Sequence, residues 1–151
     1  MNTLKVGDQV PPFTVNDHLG NSHSLETYKG SKVVVFFYPK ANTPGCTAEA
    51  CDLRDHYAEL KQAGYILLGV SADSEKAQKN FVDKFEFPFP LLADTDKEVI
   101  NAFGVWGPKK FMGKEYDGIH RKTFIIDEEG RIERVIDKVK TKAHAAQILE
   151  E

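Results

Sequence analysis

Two stretches of the chain run without polar interruption: "VVVFFY" inside "KVVVFFYP" (32–39), and "YILLGV" at the start of "YILLGVSAD" (65–73). Continuous runs of this kind, rich in β-branched and aromatic residues, suit strands buried on both faces of a sheet. Pro39 ends the first, because proline has no N–H to give a ladder. Between the two runs the period changes. Cys46, Ala50, Leu53, Tyr57 and Leu60 recur at steps of four and three, which predicts one helix from Cys46 to Ala63 with Gly64 as its stop. "SEKAQKNFVDKF" (74–85) predicts a second helix with Ser74 as N-cap. A short strand "FPLLAD" (89–94) and a short helix "KEVINAFG" (97–104), closed by Gly104, follow. "RKTFIID" and "RIERVID" flank the turn "EEG" and predict a hairpin, and "TKAHAAQILEE" predicts a closing helix. Near the N-terminus, Gly20-Asn21 marks a turn between short strands.

This order predicts a single α/β domain over residues 1–151. Its central mixed sheet should hold a parallel part from the strand–helix–strand unit and an antiparallel part from the hairpin, with helices on both faces. The parallel connection should cross over right-handed.

Composition narrows the function classes. Twenty basic residues stand against twenty-three acidic ones, for a net charge of −3, which lacks the electrostatic footprint of a nucleic-acid binder. The basic run "GPKKFMGK" (107–114) reads as a solvated loop. The opening "MNTLKVGDQVPPF" has no apolar core of a signal peptide, and every apolar run falls far short of the roughly 20 residues that span a membrane. The expected location is the cytoplasm, without membrane contact. In that reducing setting two cysteines point to catalysis, redox exchange or inert packing before a permanent bridge.

Both cysteines lie in "YPKANTPGCTAEAC" (38–51), five residues apart. Thr43 is a candidate N-cap, and Pro44 suits the first helical position. Cys46 is then the third helical residue, where unpartnered backbone N–H groups and the helix dipole favour negative charge. A thiol placed there should ionise more easily than a free one, and the thiolate is the nucleophile. On an intact helix a residue five further on, Cys51, has its Cα roughly 8.7 Å from that of Cys46. A disulfide spans at most about 7 Å between Cα atoms, so a bridge between the two requires the helix to open. Inert packing remains the other reading of Cys51. His18, His23, His56, His120 and His144 show no metal-type spacing with the cysteines.

The segment resembles the active-site stretch of the peroxiredoxins, in particular their bacterioferritin-comigratory, or Q-type, branch. Pro39, Thr43 and Cys46 match the family's P-x-x-x-T-x-x-C pattern, and Cys51 matches the branch's second cysteine. "FGVWGPKKFMGKEYDGIHRKTFIID" (103–127) is similar to the same branch and brings the family's arginine as Arg121. The resemblance runs from "KVGDQVPPF" to the last hairpin. It implies a thioredoxin-like fold and a peroxidase that reduces hydrogen peroxide and organic hydroperoxides with no metal, flavin or haem cofactor. Cys46 would become a sulfenic acid, Arg121 would stabilise thiolate and leaving oxygen, Thr43 would contact the peroxide, and Pro39 would shield the thiolate. Cys51 would close the disulfide, and thioredoxin or a similar dithiol would reopen it. A monomer is expected, with a weak dimer as the alternative. Glu49 has two readings: the glutamate that orients the family's arginine, or an exposed helix-surface residue.

Three other functions compete. A cysteine hydrolase would pair Cys46 with His120 as base. Neighbours on an extended strand face opposite sides, so only one of His120 and Arg121 can point at Cys46. A non-enzymatic thioredoxin-like binding module would leave both cysteines as packing. A general dithiol reductase is disfavoured by the missing C-x-x-C.

Overall fold

The structure, a computed structural model, describes residues 1–150. The two apolar runs form β3 (Lys32–Phe37) and β4 (Tyr65–Ser71), which pair in parallel at the centre of a five-stranded sheet. β5 (Leu91–Ala93) adds in parallel beyond β4, while β8 (Thr123–Ile126) and β9 (Ile132–Ile136) add antiparallel on the other side. The order is β5-β4-β3-β8-β9. The sheet is therefore mixed, as the order of elements predicts. A separate pair, β1 (Thr14–Asn16) and β2 (Ser22–Ser24), closes around Gly20-Asn21 and leads into a 3-10 turn, Leu25–Tyr28.

Strand alternation builds two apolar layers. Val34, Phe36, Leu67 and Ile125 face one way and meet Ala50 and Leu53 of α1 (Pro44–Asp55), Leu60 of α2 (Tyr57–Gln62), Phe81 of α3 (Glu75–Phe85) and Ile148 of α5 (His144–Leu149). Val33, Val35, Phe37, Leu68 and Val70 face the other way. There they are covered by Val99, Ile100 and Phe103 of α4 (Glu98–Phe103) and by Val10, Phe13 and Val15 of the N-terminal segment. Helices lie on both faces, four against one.

The structure departs from the sequence reading most clearly in three places, and the closing helix, read from Thr141, starts only at His144. The helix expected from Cys46 to Ala63 is two helices, broken at His56, whose φ −112° and ψ 16° leave helical geometry. There the His56 imidazole Nδ1 lies 2.9 Å from the carbonyl oxygen of Asp52 and serves as a local cap. The run 107–114 is no loop: β6 (Trp106–Phe111) and β7 (Lys114–Ile119) form an antiparallel hairpin. Its turn places Met112 at φ 53° and Gly113 at φ 79°, the left-handed pair that two-residue hairpin turns require. Mostly exposed polar side chains leave that hairpin without an apolar alternation to read. Finally, the strand expected to start at Arg121 starts at Thr123, which leaves Arg121 outside the ladder.

Candidate active site

The site forms where β3 hands over to α1. Tyr38 is buried and its hydroxyl donates to Oε1 of Gln78 at 2.5 Å. Beyond it the chain turns, with half-buried Pro39 ending the run and Asn42 at φ 62°. The turn is held from β4: the amide of Ala41 donates to Oδ2 of Asp73 at 2.7 Å, and the hydroxyl of Ser71 donates to the same oxygen at 2.6 Å. Thr43 occupies the N-cap with extended φ −95° and ψ 158°, and Pro44 takes the first helical position. The Thr43 hydroxyl does not cap the helix. It donates instead to the carbonyl of Lys40 at 2.8 Å, tightening the preceding turn. The N-cap role read for the Thr43 side chain is therefore not filled, although Thr43 does occupy the N-cap position.

Cys46 is the third residue of α1 and is buried against Tyr38 and Ala41 in the helix-rich layer. The guanidinium of Arg121 reaches it from the segment between β7 and β8. Nη2 donates to Sγ of Cys46 at 3.2 Å, and Nη1 donates to Oε1 of Glu49 at 2.6 Å. Glu49 is fully buried, so the reading of an exposed helix-surface residue fails. One turn separates Glu49 from Cys46 on α1, and the two residues bracket the same guanidinium. Gly45 makes room for it: a Cβ there would lie 3.3 Å from Nη2.

Burial works against the charge of Arg121, yet Glu49 and then Cys46 outweigh it and raise its pKa further. Burial pushes the Glu49 carboxyl from 4.5 up to about 7, against the pull of Arg121. The arginine thus stays a full cation, and its carboxylate partner is costly to ionise. His120 faces elsewhere, with Nε2 3.0 Å from the carbonyl of Pro108. The pairing a cysteine hydrolase needs is not formed.

Cys51 sits on the same unbroken helix, half-buried, and both thiols are free. Burial pushes the Cys51 thiol up, with Arg54 pulling the other way and Asp55 adding to the rise. Cys51 is thus kept as a neutral thiol in this state. Among the described residues no group of three His, Cys, Asp or Glu side chains could hold a metal ion. The structure brings together Cys46, Arg121 and Glu49, sets Thr43 at the helix entry, and keeps Cys51 apart on the helix. Sequence reasoning missed Gly45 and Asp73. The first was legible only as part of a helix entry, and the second lies 32 residues from Ala41 in the chain.

Residues 6–135 match the AhpC/TSA family. The chain is 50% identical over 149 residues to Peroxiredoxin Bcp of Escherichia coli K12, covering 99% of this chain and 96% of that one. It is 43% identical over 148 residues to Peroxiredoxin Bcp of Bacillus subtilis, covering 98% and 94%. Among solved structures, Xylella fastidiosa PrxQ superposes with a TM-score of 0.91 at 31% identity, covering 99% of this chain and 95% of that one. Xanthomonas campestris Peroxiredoxin Q superposes with a TM-score of 0.85 at 39% identity, covering 91% and 87%. The chain belongs to the peroxiredoxin (AhpC/TSA) family, in its Bcp, or Q-type, branch.

Proposed function

We propose that this peroxiredoxin reduces hydrogen peroxide and organic hydroperoxides through Cys46, acting in the cytoplasm as one domain over residues 1–151. The observation that carries the reading is the buried Cys46 Sγ held 3.2 Å from Nη2 of Arg121. A structure of the Xanthomonas campestris relative concerns alkyl peroxide reduction, which supports organic hydroperoxides as substrates here.

The Cys46 thiolate attacks one peroxide oxygen, an S–O bond forms, and the O–O bond breaks. The electron pair leaves on the second oxygen, which takes a proton to become water or an alcohol, and Cys46 becomes a sulfenic acid. Arg121 stabilises the thiolate before the attack and the charge on the leaving oxygen during it. The Thr43 hydroxyl spends its proton on Lys40, so its lone pairs can accept a hydrogen bond from the peroxide O–H. Pro39 and the burial of Cys46 keep bulk water off the thiolate.

Cys51 then attacks the sulfenic sulfur, a disulfide forms and water leaves. Thioredoxin or a similar dithiol reduces the bridge and is itself oxidised. α1 must open for this step, because the two Cα atoms of an intact helix stand roughly 8.7 Å apart. The test is peroxide consumption by Cys46→Ser with a dithiol present. The variant should be inactive, and turnover retained in it sinks the assignment.

A further inference from the structure

Glu49 uses only one of its oxygens on Arg121. Oε2 is buried and has no hydrogen-bond partner, an uncommon state for a carboxylate oxygen. The imidazole of His144 on α5 faces it, with Nε2 3.5 Å away and both side chains fully buried. The start of α5 is fastened to α1 beside them, where the amide of Ala145 donates to Oδ2 of Asp52 at 2.8 Å.

The tautomer of His144 follows from its neighbours. Gln147 donates Nε2 to the carbonyl of Lys138 and receives the amide of Lys140 on Oε1, each at 2.9 Å, so its oxygen is the atom 2.9 Å from Nδ1 of His144. Nδ1 therefore carries a proton. In the neutral ring, Nε2 is left with a lone pair. The Thr123 hydroxyl, 2.7 Å away, donates to it. With Glu49 ionised, its unpartnered Oε2 stands 3.5 Å from a ring nitrogen that carries no proton to offer it. A single proton on either atom removes the conflict.

We infer that His144 is a positioning residue of the peroxidatic site: its Nε2 and Oε2 of Glu49 share one proton, and that proton sets the charge of the carboxyl that holds Arg121. Burial pushes Glu49 up to about 7 and pushes His144 below its usual range, so the proton rests mainly on the carboxyl. Arg121 and Cys46 face the pair from the reaction side, and Asp52 of α1 and Arg134 of β9 are the remaining charged groups facing His144. With the proton present, Arg121 turns its whole charge toward Cys46. With the proton lost, Glu49 neutralises part of that charge and orients the guanidinium more rigidly. The role rests on the assignment of Cys46 and Arg121 as the peroxidatic pair.

The test uses the reduced, full-length protein. Nitrogen-15 NMR of the His144 ring, followed from about pH 5 to pH 9 across the ordinary histidine range, should show one transition at Nε2. Glu49→Gln should abolish it. Thr123→Val should move it to higher pH, because the hydroxyl favours only the proton-free state. The pH profile of Cys46 oxidation by hydrogen peroxide should move with it, which a merely structural role would not cause. An unchanged transition in Glu49→Gln, no transition in the wild type, or an unmoved or lowered one in Thr123→Val overturns the shared proton. A transition that moves while the rate profile stays overturns the positioning role. The spectra involve no peroxide, so they stand or fall apart from the fate of Cys46→Ser.

Discussion

Arg121 lies over Gly45 in the first turn of α1, close enough that a side chain there would crowd its guanidinium. A methyl group on Gly45 would lie 3.3 Å from Nη2 of Arg121. The guanidinium would have to shift by a few tenths of an ångström, and Nη2 is the atom that donates to Cys46. Gly45→Ala should therefore slow the first oxidation by about tenfold, since a full 1 Å misplacement can cost about a hundredfold. The same change should raise stability by roughly 0.5–1 kcal/mol through helix propensity. Stopped-flow oxidation and urea unfolding check the two signs. A variant as fast as the parent would show that Arg121 has freedom the geometry does not suggest.

Arg121→Ala should slow that step by about 10²–10³, the usual cost of one preorganised donor to developing charge. His120→Ala should change it little, because His120 points at the Pro108 carbonyl. Peroxide oxidation rates of the two variants decide the ranking, and the reverse order would favour histidine-based chemistry.

Cys51→Ser should complete one turnover and then stall. Mass spectrometry should find Cys46 as a sulfenic acid, passing to sulfinic acid at high peroxide. Normal recycling with thioredoxin would remove Cys51 from the resolving role.

Oxidation should also leave a mark on the backbone. Amide hydrogen exchange should lose protection over residues 46–53 in the disulfide form, because the roughly 8.7 Å Cα separation must close to a disulfide span. Equal protection in both forms, with the intramolecular bridge confirmed, would mean that the bond forms on a helical backbone.

Glu49 makes stability depend on pH with a definite sign. Its carboxyl is raised from 4.5 to about 7 in the fold. Between those values the folded chain holds a proton that the unfolded chain has lost. The contribution is complete below pH 4.5 and disappears as pH rises through about 7. Urea midpoints of the reduced protein should fall across that window, and Glu49→Gln should flatten the slope. Parallel slopes in the two proteins would place the titration elsewhere.

What could be read from the chain divides along physical lines. β3 and β4 were legible because burial on both faces forces unbroken apolar runs. Ser74 was legible as an N-cap, and its hydroxyl does accept the amide of Ala77 at 3.1 Å. The entry of Cys46 into the first turn followed from Thr43 and Pro44, which occupy the N-cap and the first helical position as read. The β6–β7 hairpin was not legible, since its exposed faces impose no period on Lys109, Lys110 and Lys114. The break at His56 was hidden because Tyr57 and Leu60 keep the helical spacing of buried positions across it. The burial of Glu49 depends on Arg121, 72 residues away, and no local pattern carries a contact of that range.

The interruption at His56 also limits how far damage to α1 can spread. Helical hydrogen bonds are cooperative, so melting that begins at one end tends to run to the other. On an unbroken helix, opening at Cys46 would propagate as far as Ala63 and lift Leu60 out of the core. At His56 the ladder already has a seam, and α2 restarts from it with the amide of Leu60 donating to the His56 carbonyl at 3.1 Å. The seam works as a firebreak: everything on its far side keeps its own anchorage, and the melted stretch remains a short tethered loop whose ends are still in register. A loop that small should re-zip quickly, so the break that spoils the helix as a regular object would shorten the return of α1 to its helical state.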